Sequence, residues 1–313
     1  MSKGCVCVVI RVGCCGFPVS MKKYFGRFGL VEVNRTFYEF LRLERVRGWR
    51  ERAPEDFEFT VKAHQSITHR ARMKANEASL EAFERMKEIC RVLGAGVLVF
   101  QTPGSFGPER LGDVEEFFRG VERDGLVLVW ETRGAAWERS DVRERLREVL
   151  EGVGVGHVVD PFRVLPVFVG DVVYFRLHGL GERLYYYQFS DGELRRLGEV
   201  VRRYDEQGKR VYVLFNNLAM FEDAFRFIRY LERGEFPRVT GGFVGLESVK
   251  SIVGKTRYPV SKSVLVKRVG WRLVEIEEGR QVRLADLLAE LPSKTYRDAE
   301  ELLSALKAVG KLV

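Results

Sequence analysis

The sequence predicts an α/β protein: a (β/α)8 TIM barrel carrying a small C-terminal α+β module. Three observations predict it. Eight apolar runs appear before position 240, and seven of them end abruptly in charged or amide residues. Amphipathic helical segments follow most of these runs, and past Gly241 the rhythm stops. Near-continuously apolar strands alternating with helices imply a parallel sheet covered on both faces. Polar groups delivered from one end of eight buried strands are how a closed barrel builds a site.

The first run, Val8–Gly13, ends in the tight turn GCCG. The second, Leu30–Asn34, ends in Glu32 and Asn34, and Phe57–Lys62 ends in Lys62. Gly96–Gln101 closes on Gln101, and Leu126–Glu131 on Glu131 with Arg133 beyond. His157–Asp160 ends in Asp160, Val172–His178 in Arg176 and His178, and Val211–Asn217 in Asn216 and Asn217. Between them, Asn76–Gly94 is the clearest helix. Asn76 suits an N-cap, Leu80, Phe83, Met86, Ile89, Cys90 and Leu93 form a stripe, and Gly94 ends it. Glu109–Arg119, Asp141–Leu150, Asp191–Asp205 and Leu218–Arg233 read alike. A doubly wound open sheet needs fewer strands and usually a glycine-rich phosphate loop. No GxGxxG or GxxxxGK[ST] follows the first strand, so GCCGF (Gly13–Phe17) is a turn and not a dinucleotide fingerprint.

The barrel is expected over residues 1–240 and the module over 241–313. Phe243–Arg272 reads as short β-like runs with turns, and Val282–Leu288 and Tyr296–Val309 as helices. From Gly241 onward 13 Lys and Arg face 9 Asp and Glu, so +4 of the net charge of +8 sits there. Lys250, Lys255, Arg257, Lys262, Lys267, Arg268 and Arg272 fall in a stretch with no acidic residue, interleaved with Tyr258 and Trp271. That mix suits phosphate contacts and base stacking, making DNA or RNA an expected partner. A solubilising face or an acidic protein partner are the bland alternatives.

Composition bounds the rest. At 313 residues with 46% hydrophobic and 12% aromatic content, the chain has ample core for a globular protein. No apolar stretch reaches the roughly 18 residues of a membrane helix. MSKGCVCVVIRVGCCG lacks the features of a signal peptide, so a cytoplasmic location without membrane partners is expected. Five cysteines (Cys5, Cys7, Cys14, Cys15, Cys90) without a CxxC pair argue against a disulfide framework and for ordinary buried thiols, with Cys14 and Cys15 at a strand end the two to watch. High Arg and Glu with few Asn also fit a thermophile.

The strand ends carry the chemistry. Glu32 and Asn34 alternate, so VEVNRTFY sends a carboxylate and an amide to one face, with Phe37 and Tyr38 as walls. Lys62 ends a buried strand, which is costly unless it is paired, and His64 and His69 follow. WETRGAAW supplies Glu131, Arg133 and Trp137; FRLHG supplies Arg176 and His178; LYYYQ supplies Tyr185 and Tyr187. Glu32, Glu131 and Asp160 are candidate bases, Lys62 stabilises charge, and His69 and His178 move protons. Asn34, Tyr38, Gln101, Arg133, Trp137, Arg176, Tyr185, Tyr187, Asn216 and Asn217 are candidate substrate contacts. Lys62, Arg133 and Arg176 suit an anion, most simply a phosphate. Four histidines are too few for a three-zinc cluster. One Mg2+ or Mn2+ on Glu and Asp stays open as a cofactor.

From GCCGF through VEVNRTFY, FTVKAHQSITH, QTPGSF, ETRGAAW, RLHG, YYY and FNN, the chain resembles the YecE-like family, domain-of-unknown-function family 72, over residues 10–230. The resemblance implies the barrel and a polar pocket made by these motifs, and no established reaction. FNNLAM departs from it, with Leu218 where the family has a small polar or acidic residue. The leading expectation is an enzyme on a phosphate-containing substrate, such as a nuclease or repair-type phosphodiesterase. A sugar or sugar-phosphate isomerase, epimerase or lyase, and a non-enzymatic nucleic-acid-binding protein, are the alternatives.

Overall fold

The computed structural model describes residues 10–310. Cys5 and Cys7 lie outside the described residues. Eight strands form one parallel sheet: β1 (Ile10–Cys15), β2 (Leu30–Val33), β3 (Glu58–Lys62), β4 (Val97–Gln101), β5 (Val127–Glu131), β6 (Gly156–Val158), β7 (Val172–Leu177) and β8 (Arg210–Phe215). Their order is β6-β5-β4-β3-β2-β1-β8-β7. A parallel bridge between Val159 and Phe175 joins the two ends, and Arg176 N donates to Val159 O at 3.0 Å. The sheet is therefore a closed barrel, the predicted class.

Side-chain alternation fills the interior. Cys15, Leu30, Val97, Val99, Val129, Val158, Val172, Tyr174, Tyr212 and Leu214 form one buried cluster. Two residues on from members of this cluster, along the same strands, come Glu32, Gln101, Glu131 and Arg176. The polar groups thus form the next inward layer towards the strands' C-terminal ends. In sequence, α1 (Met21–Phe25), α2 (Leu43–Arg52), α3 (Glu77–Leu93), α4 (Leu111–Gly120), α5 (Ser140–Val153) and α6 (Asp191–Asp205) alternate with the strands, and α7 (Met220–Arg233) follows β8. The β6–β7 connection holds no helix. Asn76 caps α3 through a capping box with Ser79, and Gly94 ends it left-handed at φ 68°.

The chain divides into two compact units. One holds the residues up to Leu177 with Glu199–Asn216, and the other holds His178–Gly198 with Asn217 onward. The second unit thus draws in segments that precede the composition change at Gly241.

Beyond that change the expected β-like runs are largely helical. α8 (Gly245–Val253) and α9 (Lys262–Val269) occupy most of Phe243–Arg272, with β9 (Val260–Ser261) between them. The Val and Ile content favours strands locally. Burial of Val249, Ile252 and Val253 on one stripe of α8, and of Leu265 on α9, overrides that preference. β10 (Leu273–Glu277) and β11 (Arg280–Arg283) form a hairpin, α10 (Leu284–Ala289) follows, β12 (Thr295–Tyr296) pairs with β9, and α11 (Ala299–Ala308) ends the described chain. Val282 thus lies within a strand, and the helix opens at Leu284. Among the described residues, no helix is long and apolar enough to cross a membrane.

Candidate active site at the barrel mouth

β7 aims Arg176 into the barrel, where it is 1% exposed. Its Nε and Nη2 donate to Glu32 Oε2 and Oε1 at 2.9 and 2.8 Å, a bidentate fork. Its Nη1 donates to Glu131 Oε2. Glu131 Oε1 accepts from Arg133 Nε at 2.8 Å. On the other side, Tyr174 OH donates to Glu32 Oε2 at 3.0 Å and lies 2.7 Å from Thr60 Oγ1. A continuous chain thus runs Thr60–Tyr174–Glu32–Arg176–Glu131–Arg133. Burial disfavours the Arg176 charge, but the carboxylates of Glu32 and Glu131 paired with it hold its pKa well above the ordinary range. Burial pushes the Cys15 thiol far up; Arg176 opposes this and Glu32 adds to it. The thiol therefore stays protonated and is no nucleophile. Burial and then Glu32 likewise keep the Tyr174 phenol protonated.

Lys62 sits differently. It is 9% exposed, and its Nζ donates to Gln101 Oε1 at 2.9 Å while standing 4.0 Å from the centroid of the Phe37 ring. Gln101 is fixed in turn by donating Nε2 to Thr102 O at 2.6 Å. The buried Thr36 hydroxyl positions Phe37. Its Oγ1 lies 2.8 Å from Val33 O and 2.7 Å from Lys62 O, pinning the turn after β2 to the end of β3. Burial and then Arg176 push the Lys62 ammonium down to about 8, against Glu32 and Glu131, with Arg133 adding to the fall. His69, in the turn Ser66–Arg70, meets Phe37 edge-on at 4.9 Å. Burial, Lys62 and Arg133 together keep this imidazole's pKa below its ordinary value.

The structure therefore brings together Glu32, Lys62, His69, Gln101, Glu131, Arg133 and Arg176. Asn34 begins the turn that carries Phe37, and Tyr38 is 72% exposed beside it. Asp160 Oδ1 accepts from Phe162 N at 3.1 Å and shapes the loop after β6. Trp137 is buried, donates Nε1 to Phe106 O at 2.9 Å and stacks on Phe106, so it is packing and not an open substrate contact. Asn216 follows β8, its N donating to Leu177 O at 2.8 Å. His178, Tyr185, Tyr187 and Asn217 belong to the second unit. There Asn217 Nδ2 donates to Tyr187 O at 2.8 Å and Asp223 Oδ2 at 2.7 Å, Tyr187 OH donates to Glu193, and the His178 and Tyr185 rings are 5.9 Å apart. Asn217 and Tyr187 thus hold local structure. Sequence reading marked Cys15 as a thiol to watch, without placing it beside Arg176, and missed Thr60 and Tyr174. Thr60 and Tyr174 stand two residues before Lys62 and Arg176, so strand alternation was the signal that pointed to them.

Metal ligation has little support in the donor set. Among the described residues no group of three His, Cys, Asp or Glu side chains converges. Glu32 and Glu131 are joined through a guanidinium instead.

In the second unit, Lys262 donates Nζ to Ala289 O at 2.7 Å and Leu291 O at 2.6 Å, a structural staple. Lys250 pairs with Glu247 at 3.5 Å. Among the described residues, Lys255, Arg257, Lys267 and Arg268 are exposed and show no ion pair.

The sequence profile of the family described as protein of unknown function DUF72 matches residues 18–237, and that of a family of unknown function, DUF5789, matches residues 244–311. UPF0759 protein YecE of Escherichia coli (strain K12) is 33% identical over 141 residues, 45% of this chain; the matched stretch spans only 51% of that relative. A DUF72 family protein from Thermotoga maritima MSB8 is 26% identical with a TM-score of 0.59, covering 72% of this chain and 100% of its own. Another from Enterococcus faecalis V583 superposes with a TM-score of 0.59 at 23% identity, covering 72% of this chain and 98% of its own. With the barrel closed, its polar layer in place and the family profile matched across most of its length, the chain belongs to the YecE-like family of proteins of unknown function, DUF72.

Proposed function

We propose that the barrel mouth is the active site of an enzyme acting on a small phosphate-bearing substrate, with Lys62 as its acid–base group. The observation that carries this is the setting of Lys62. A buried amine with a pKa of about 8 faces an amide and an aromatic ring, with Arg133, His69 and Arg176 as neighbouring cationic or protonatable groups. Such a site favours an incoming anion, which relieves repulsion among the cations and raises the lysine's proton affinity. A lysine near neutral pKa then exchanges protons with a bound sugar phosphate, as an isomerase, epimerase or lyase requires. Phosphodiester hydrolysis needs water activated by a carboxylate or a metal. Glu32 and Glu131 already accept from Arg176, and no three-residue metal set converges among the described residues. These features favour the sugar-phosphate reading over a nuclease.

Calorimetric titration of the protein with inorganic phosphate and with a pentose phosphate, at pH 8 in buffers of different ionisation enthalpy, tests it. Binding is expected to take up protons, and Lys62→Met to abolish the uptake. Absence of phosphate binding, or uptake unchanged in Lys62→Met, refutes the proposal. Metal-dependent oligonucleotide cleavage lost in Glu32→Gln would replace it with the phosphodiesterase.

A further inference from the structure

The second unit carries an aromatic and cationic cluster that shares no residue with the site described above. The loop between β7 and α6 brings Arg183 and Tyr186 to the segment that follows α9. The Arg183 guanidinium lies 3.3 Å from the centroid of the Tyr186 ring, and Tyr186 meets Trp271 edge-on at 6.2 Å. The Arg272 guanidinium stands 5.4 Å from the centroid of the Trp271 ring. The indole is fixed, its Nε1 donating to Arg268 O at 2.8 Å. Both rings are half-buried, whereas Arg183, Lys267 and Arg268 are exposed and Leu184 is 47% exposed. Among the described residues no carboxylate pairs with Arg183, Lys267 or Arg268. Glu222 is taken by Arg272 at 2.8 Å, and the exposed Glu182 is the one acidic residue in the loop Gly179–Tyr187.

We infer that this cluster binds single-stranded nucleic acid, with the Trp271 indole and the Arg183–Tyr186 stack as platforms for bases and Lys267 and Arg268 as phosphate contacts. Ring faces held in place beside unpaired cations match the two needs of a single strand: a surface for unstacked bases and charge along the backbone. An acidic protein would use the cations but has no need of the rings. A duplex keeps its base faces covered. The helical geometry of α9 places Lys267 and Arg268 in its last turn, one short step from Trp271. Binding at this cluster is independent of what the barrel does.

The test is fluorescence anisotropy of the 313-residue chain with labelled oligo(dT) of about a dozen nucleotides, within the span of known single-strand sites. Binding is expected to weaken steeply with salt. Trp271→Ala and Tyr186→Ala should each weaken it roughly tenfold, the scale of one stacked base. Trp271→Phe should keep most of the affinity, and circular dichroism should show each variant folded. Lys267→Gln with Arg268→Gln should flatten the log–log salt slope by about 0.7 for each phosphate that is no longer neutralised. An oligonucleotide that does not bind overturns the inference. So does a matched duplex or polyglutamate that binds as well as the single strand, or a Trp271→Ala variant that binds like the parent.

Discussion

At the scale of single residues, the barrel's interior joins two opposite arrangements. Arg176 spends its whole guanidinium on Glu32 and Glu131. Removing one partner of such a buried pair leaves uncompensated charge, whereas the pair itself contributes little net stability. Arg176→Met should therefore destabilise the protein by roughly 3–5 kcal/mol in urea unfolding. Adding Glu32→Gln should recover part of that loss, a non-additivity expected of residues in one network. A double variant as unstable as the sum of the singles would show that the pairing carries no coupling. Lys62 behaves in the opposite sense. Its folded pKa is lowered from 10.5 to about 8, so below pH 8 the folded state carries the full cost of the buried ammonium. As pH rises from about 8 to 10.5 the folded state holds fewer protons than the unfolded one, and stability rises. The cost is at most about 3 kcal/mol at 1.36 kcal/mol per unit. Lys62→Met should thus be more stable than the parent at pH 7, with the gap closing by pH 10.5. A gap independent of pH would mean that Lys62 titrates normally.

At the scale of elements, the close approach of neighbouring strands constrains β1 most. A Cβ on Gly13 would collide with Leu30 O and lie 2.8 Å from Leu30 C, both backbone atoms of β2. Neither strand can give way without breaking the barrel, so Gly13→Ala should cost at least the 1–3 kcal/mol or so of an overpacked core. Gly48, inside α2, has no heavy atom within 4 Å of its would-be Cβ. Gly48→Ala should stabilise by about 0.5–1 kcal/mol, through helix propensity alone. Thermal unfolding distinguishes the pair, and equal effects would refute the steric cause at Gly13. The same elements show what sequence can carry. The strands were legible because burial on both faces writes them as unbroken apolar runs, and Glu32, Lys62, Gln101, Glu131 and Arg176 were legible because they end those runs. The pairing of Arg176 with both glutamates was not, because it depends on which strands face each other once the barrel closes. Trp137 looked like a substrate contact because an indole just past a strand end reads the same whether it lines a pocket or packs on Phe106. α8 and α9 were misread because Val and Ile favour strands locally, while the apolar side of each helix is satisfied only by the module's own core.

At the scale of the whole molecule, the described residues contain at least two separate apolar cores. One lies inside the barrel, among Leu30, Val99, Val129, Tyr174 and Leu214. The other is built entirely from Val249–Leu306, with Leu265, Val274, Leu284, Leu288 and Tyr296 at its centre. Two cores of different composition imply two cooperative units, each opening with its own free energy. Leu288 is fully buried, so Leu288→Ala should cost about 2–5 kcal/mol, but only where its core is. Native-state hydrogen exchange should show faster exchange in α8–α11 and unchanged exchange in β1–β8, and Val99→Ala should do the reverse. Parallel changes throughout would show a single cooperative unit. The consequence for function is direct: loosening the second core should remove oligonucleotide binding at Trp271 and leave phosphate binding beside Lys62 intact, because the groups that hold Lys62 (Gln101, Phe37 and Thr36) all belong to the first unit.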